Sequence, residues 1–227
     1  MCTDPADSSA APPGVTLSDA LARYAIALPA GHMDPLERYC RRLWEWNEKL
    51  NLTRHTTFDK FVARDLVDST QLAQLLHRGE KVLDMGSGGG VPGVVLAILR
   101  PDLQVALCES VGKKAAALES IVESLDLATP VHHCRGEQLL AEARFDAVVA
   151  RAVGPLWKIL QWLHPCWAHI GRLLVVKGPR WVEERGEARH RGLLRNFELR
   201  RAATYSTPGS SVENVILKIW PKGQPEK

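Results

Sequence analysis

The sequence predicts an α/β fold: an open, mostly parallel seven-stranded sheet that ends in an antiparallel hairpin, preceded by a cap of helices. Three observations predict it. Residues 81–93, KVLDMGSGGGVPG, read as a buried strand that breaks on glycines and runs into a helix. From residue 81 onward strand-like and helix-like patterns alternate, which implies parallel strands joined by right-handed crossovers. The tail departs from that alternation, with two strand-like runs flanking Pro208-Gly209-Ser210.

The elements follow in order. Residues 1–16 form a Ser/Ala/Pro-rich lead that cannot bury surface and is expected to be disordered. Residues 17–27 suit a first helix. Pro35 opens a second, with Leu36, Tyr39, Leu43, Trp46 and Leu50 spaced by three and four. Residues 57–77 suit a third, broken in the middle. The strands are expected at 81–85, 104–109, 131–134, 145–150 and 172–177, then 198–205 and 213–220 in the hairpin. Helices fall at 92–99, 112–125 and 155–168, with a short turn at 137–142 and a charged helix at 182–194. The cap therefore covers 17–78 and the sheet domain 79–222, the two acting as one structural unit.

Composition narrows the class. A chain of 227 residues with 45% apolar and 24% charged content is an ordinary globular one. No run of 18 apolar residues exists, so no membrane helix is expected, and the N-terminus has no signal-peptide core. Five widely spaced cysteines without a C-x-x-C pair fit free thiols in a reducing cytoplasm. A formal net charge of +3 permits an RNA partner without arguing for one.

The glycine loop admits two ligands. Gly88, Gly90 and Gly93 satisfy the G-x-G-x-x-G spacing of a dinucleotide site. However, Gly88 lies three residues beyond the strand and Pro92 interrupts the start of the helix. The other reading is S-adenosylmethionine, held by G-x-G-x-G at Gly86, Gly88 and Gly90, with Asp84 orienting the loop and the ligand's ammonium. Glu109, at the end of the second strand, can take both ribose hydroxyls through its two oxygens. NAD sites use the same device, and a solvated strand end is the competing, less favoured account of Glu109. The terminal hairpin favours the methyl donor.

Five segments carry a resemblance. DMGSGGGVPG, RPDLQVALCESVGKKAAALE, FDAVVARAVGP and GRLLVVKG, with WNEKLNLTRHTTFDKFVARDLVDS before them, resemble the bacterial small-subunit ribosomal RNA guanine-N7 methyltransferases, also called glucose-inhibited division protein B. The likeness covers about residues 35 to 220. It implies a Rossmann-like, class I S-adenosylmethionine-dependent methyltransferase that acts on N7 of one guanine in 16S ribosomal RNA, as naked RNA or in the small subunit. It implies cofactor contacts at Gly86 and Val91, at Gly136 and Glu137, and at Glu109, and it matches Arg151 to a functional arginine of the family. Two departures stand out. The family usually has Phe or Leu at Val91. It commonly has His after the arginine of an R-H-x-x-D-S segment, where this chain reads Arg64-Asp65-Leu66-Val67-Asp68-Ser69.

The chemistry implied needs few special groups. Guanine N7 offers an in-plane lone pair and loses no proton when methylated, so alignment and field matter more than a general base. Arg151 and Lys177 lie at strand ends, where open α/β sheets bind ligands. Arg151 suits the cofactor carboxylate or guanine O6 and N7; Lys177 suits a phosphate or the base. For each, pairing with a nearby acid is the competing account. Lys49, Asn51, Thr53 and Arg54 divide between helix capping and RNA contact. The arginines from Arg180 to Arg201 are offset by glutamates and read as a solvated face. Among the tryptophans, Trp157 and Trp181 are the candidates for base stacking. His132, His133 and Cys134 alternate along a strand, so no metal is expected. A monomer is the simplest assembly.

Overall fold

The computed structural model describes residues 16–225. Nearly all of the expected lead lies outside that range; Thr16 survives as the N-cap of α1 (Leu17–Arg23), where its hydroxyl accepts from the Asp19 N–H. This helix is four residues shorter than its pattern, because the chain turns out at Ala25 with φ +51°. The amphipathic α2 (Met33–Asn47) starts two residues before Pro35. A proline in the first turn is tolerated because the N–H it lacks would have no intrahelical partner. The third helical stretch is three joined pieces: α3 (Phe58–Lys60), a π-helical segment Phe61–Leu66, and α4 (Val67–Ala73).

The sheet is built from β1 (Lys81–Met85), β2 (Gln104–Cys108), β3 (Val131–His132), β4 (Phe145–Arg151), β5 (Ile170–Lys177), β6 (Phe197–Ser206) and β7 (Glu213–Pro221). Between them run α5 (Gly93–Leu99), α6 (Gly112–Ser124), α7 (Gly136–Glu142), α8 (Leu156–Leu163) and α9 (Trp181–His190). Strand order is β3-β2-β1-β4-β5-β7-β6; β7 pairs antiparallel with both β5 and β6, and the other pairings are parallel. The central strands are buried on both faces, as a sheet flanked by helices requires.

Several bounds shift from the pattern. Arg151 is the last residue of β4 rather than a residue beyond it, and β3 is only two residues long. The short turn expected at 137–142 is the helix α7. The helix expected at 155–168 ends at Leu163 and continues as a 3-10 turn, His164–His169, with Pro165 in its first turn.

The cap is fused to the sheet by one apolar cluster that includes Leu17, Leu36, Leu43, Phe61 and Leu72 with Val82, Val94 and Leu107. Two polar ties reinforce it. Arg172, 1% exposed at the start of β5, donates to both oxygens of Glu80 (2.7 and 2.8 Å) and to the Leu75 carbonyl (2.9 Å). Past the C-terminal end of β1, the buried Tyr39 hydroxyl donates to the Gly89 carbonyl (2.8 Å), bringing α2 onto the glycine loop.

Candidate active site

The loop after β1 is shaped by its glycines. Gly86, Gly88 and Gly90 have φ of +75°, +55° and +102°, a region that side chains with a Cβ rarely occupy. Asp84 supports the loop from behind. Its Oδ2 accepts from the Gly93 N–H at 3.0 Å, and the Ser87 hydroxyl bonds the Asp84 carbonyl at 2.9 Å. A Cβ on Gly93 would stand 2.5 Å from that same Oδ2 and collide with Leu107, so this position closes the helix onto the strand. Burial pushes the Asp84 carboxyl up to about 7, against the pull of the Gly93 N–H.

Above the loop lies a cavity of about 520 Å³ at the C-terminal ends of β1, β2 and β4. Its wall includes Gly86, Val91, Glu109, Gly136, Glu137 and Trp162, together with Asp65 and Arg151, and Leu43, Leu52 and Thr53 of the cap line it as well. Glu109 already accepts two backbone N–H groups, Gly88 at 3.0 Å and Val111 at 2.8 Å, one on each oxygen. Each oxygen keeps a lone pair for a further donor. A second cavity of about 410 Å³ opens beside the first and shares Arg151 and Ala152 with it. Lys177, Asp68, His55 and Asn214 stand in its wall. Ala152, between the two, has φ +55° without being glycine, an uncommon backbone state that gathers at working sites.

The sequence-predicted residues divide. Gly86, Gly88, Val91, Glu109, Gly136, Glu137 and Arg151 come together around the first cavity. Asp84 and Gly90 are not in its wall. Asp84 faces inward to α5, and Gly90 packs toward Val94 and Leu118; both shape the loop from beneath. Lys177 belongs to the second cavity alone.

Neither of the two cations stands free, which is the competing account for both. Arg151 Nη2 donates to Asp65 Oδ1 (2.5 Å), and its Nη1 lies 3.1 Å from Asp68 Oδ2. Lys177 Nζ lies 2.7 Å from Glu184 and donates to the Gly154 carbonyl (2.6 Å). Burial pushes the Asp68 carboxyl up, with Arg151 and a hydrogen bond from Tyr205 (2.6 Å) opposing it.

Other expectations resolve by packing. Trp157 carries Arg191 over its ring (4.0 Å) and Trp181 carries Arg185 (5.0 Å), while the tryptophan in the cavity wall is Trp162. Nothing in the spacing distinguished it. In the segment after α2, Asn47 does the capping: its Oδ1 accepts from the Leu52 and Thr53 N–H groups. In the later arginine run Arg180 pairs with Glu183, and Arg191 with Glu187. Among the described residues no cluster of His, Cys, Asp and Glu is placed to hold a metal ion.

The strand order, the reversed β7 and a cavity over the glycine loop define a class I S-adenosylmethionine-dependent methyltransferase. A solved structure of a mutant MtNAS in complex with S-adenosylmethionine has the same fold, with a TM-score of 0.57 over 91% of this chain and 85% of its own at 16% identity. Within that class the chain belongs to the GidB family, rRNA small subunit methyltransferase G, whose model matches residues 32–210. A ribosomal RNA small subunit methyltransferase G of Rhodopirellula baltica is 58% identical over 75% of this chain and 74% of its own length. One of Mycolicibacterium paratuberculosis is 36% identical over 80% of this chain and 74% of its own. Family membership decides between the two ligand readings of the loop in favour of S-adenosylmethionine.

Proposed function

We propose that this chain transfers the methyl group of S-adenosylmethionine to N7 of a guanine in 16S ribosomal RNA. The observation that carries this reading is the pair of adjoining cavities at the strand ends, which meet at Arg151 and Ala152. In the first, Glu109 holds ribose hydroxyls, the Gly86–Gly88 backbone and Val91 lie along the ligand, and Gly136 and Glu137 meet its base. Arg151 stands at the methionine end. S-adenosylmethionine, when bound there, supplies a methyl group made electrophilic by the sulfonium.

The second cavity takes the target base, and Lys177, tied to Glu184, sets the potential of its wall. No residue has to remove a proton, because N7 carries none. The protein's task is to hold N7 in line with the methyl group and to exclude water, for which the cap residues Leu43 and Leu52 close the site. The proposed RNA substrate supports a cytoplasmic location, and a monomer is the simplest assembly.

The test is to incubate the purified protein with S-adenosylmethionine and small ribosomal subunits, then map N7-methylguanine by chemical strand scission. A single new scission site is expected in 16S RNA. No such site would end the reading. The Arg151→Ala variant is expected to lose at least about tenfold in rate; an unchanged rate would remove Arg151 from the mechanism.

A further inference from the structure

One polar side chain of the second cavity has nothing to bond. Asn214 is the second residue of β7, one position before the β5–β7 ladder reaches Val215 opposite Lys177. It is 8% exposed, and Val215, Ile216 and Leu217 after it are apolar and fully buried. Among the described residues its side-chain amide has no hydrogen-bond partner. Yet neither the amide oxygen nor the nitrogen is wholly enclosed by protein, and the residue lines the cavity. A Cβ on Gly178 would stand 3.8 Å from Asn214 Oδ1, so that glycine leaves the oxygen uncovered. An amide placed this deep without a partner lowers stability until a ligand or water meets it.

The sheet order sets what it can meet. β4, β5 and β7 are neighbours, about 4.8 Å apart, with Arg151, Lys177 and Asn214 at one end of the sheet. A guanine whose N7 points to the donor cavity at Arg151 extends its opposite edge toward β7. That edge carries two donors, N1–H and the 2-amino group, and an amide oxygen has two lone pairs. We propose that Asn214 Oδ1 accepts from N1–H and the 2-amino group of the target guanine, fixing the base by the edge opposite the reacting nitrogen. This deepens the reading of the second cavity as the base site and rests on it. Methylation at N7 puts positive charge on the ring and makes N1–H a stronger donor. The bond to Asn214 therefore tightens as the methyl group transfers, which raises the rate and not only the affinity.

Inosine at the mapped guanine position, in subunits reconstituted with altered 16S RNA, removes only the 2-amino group. The unaltered protein should methylate these subunits with a kcat/KM about threefold to tenfold below that for guanine. Asn214→Leu, close in size, should lose about tenfold to a hundredfold on guanine subunits and no longer distinguish inosine from guanine. Its affinity for S-adenosylhomocysteine in calorimetry should stay within about twofold. Asn214→Asp keeps acceptors for both donors and should stay within about threefold of the unaltered protein on guanine.

Equal rates of the unaltered protein on guanine and inosine subunits would overturn the proposal, and this arm needs no variant to fold. So would an Asn214→Leu variant that keeps the full rate or the same preference for guanine. A loss of S-adenosylhomocysteine affinity matching the loss of rate would also overturn it, since that marks a purely structural amide. If the unaltered protein bound S-adenosylhomocysteine but methylated no guanine in the subunits, the base-site reading itself would fall, and the role of Asn214 with it.

Discussion

Asp84→Asn isolates the energetic cost of the acid beneath the glycine loop. The carboxyl is 1% exposed, and burial raises its folded-state pKa to about 7. In the unfolded chain an aspartate titrates near about 3.9. The folded protein therefore binds this proton more tightly, and the stability that the protonated acid contributes is fully present below about pH 4. It is lost as pH rises toward 7. A gap of about three pH units, at about 1.4 kcal/mol each, makes the loss about 4 kcal/mol across that window.

Asparagine has nearly the same shape and can still accept from the Gly93 N–H, but it does not titrate. Urea unfolding of both proteins at several pH values between about 5 and 8, with equal m-values, gives the difference directly. The stability of the unaltered protein relative to Asp84→Asn should fall by about 1.4 kcal/mol per pH unit up to about pH 7 and then level off. A difference that stays flat, or that rises with pH, would show that the folded-state pKa is not raised and would refute the argument.

Three further outcomes follow from the contacts. Tyr39→Phe removes the hydroxyl that bonds the Gly89 carbonyl and should cost about 1–3 kcal/mol in chemical denaturation, with weaker S-adenosylhomocysteine binding because the loop loses its tie to α2. Arg172→Leu leaves the half-buried Glu80 and the Leu75 carbonyl without their donor. A loss of about 3–5 kcal/mol is expected, read as a lower urea midpoint; an unchanged midpoint would mean the ion pair is dispensable. Glu109→Ala takes the partner from both the Gly88 and Val111 N–H groups as well as from the ligand. It should weaken S-adenosylhomocysteine by at least about tenfold in calorimetry while α-helical content is kept.

What was legible in the sequence was what the backbone dictates locally. The loop at 86–90 could be read because three positions need φ values that glycine alone adopts cheaply. The parallel sheet was readable from apolar runs alternating with helical ones, and the hairpin from its turn residues. Element bounds were less so: the π-helical segment inside the third cap helix and the conversion of 164–169 to a 3-10 turn leave little trace in spacing.

The site was half legible. Gly86, Glu109 and Arg151 stand at strand ends, a place that topology assigns, and Gly136 opens the helix after β3. Asp65 and Trp162 of the cavity wall were not anticipated, while Asp84, expected to orient the loop, does hold it through the Gly93 N–H. Arg151 meets Asp65 across 86 positions of sequence, and Arg172 meets Glu80 across 92.

The chain's own letters therefore determined the order of strands and helices, the glycine turn and the family, because propensity and periodicity act over a few neighbouring residues. Only the folded molecule decided which charges cancel, which carboxylate lines the cavity and which faces a helix. Those outcomes depend on side chains that meet when distant segments close on one another, and on the water that their meeting excludes.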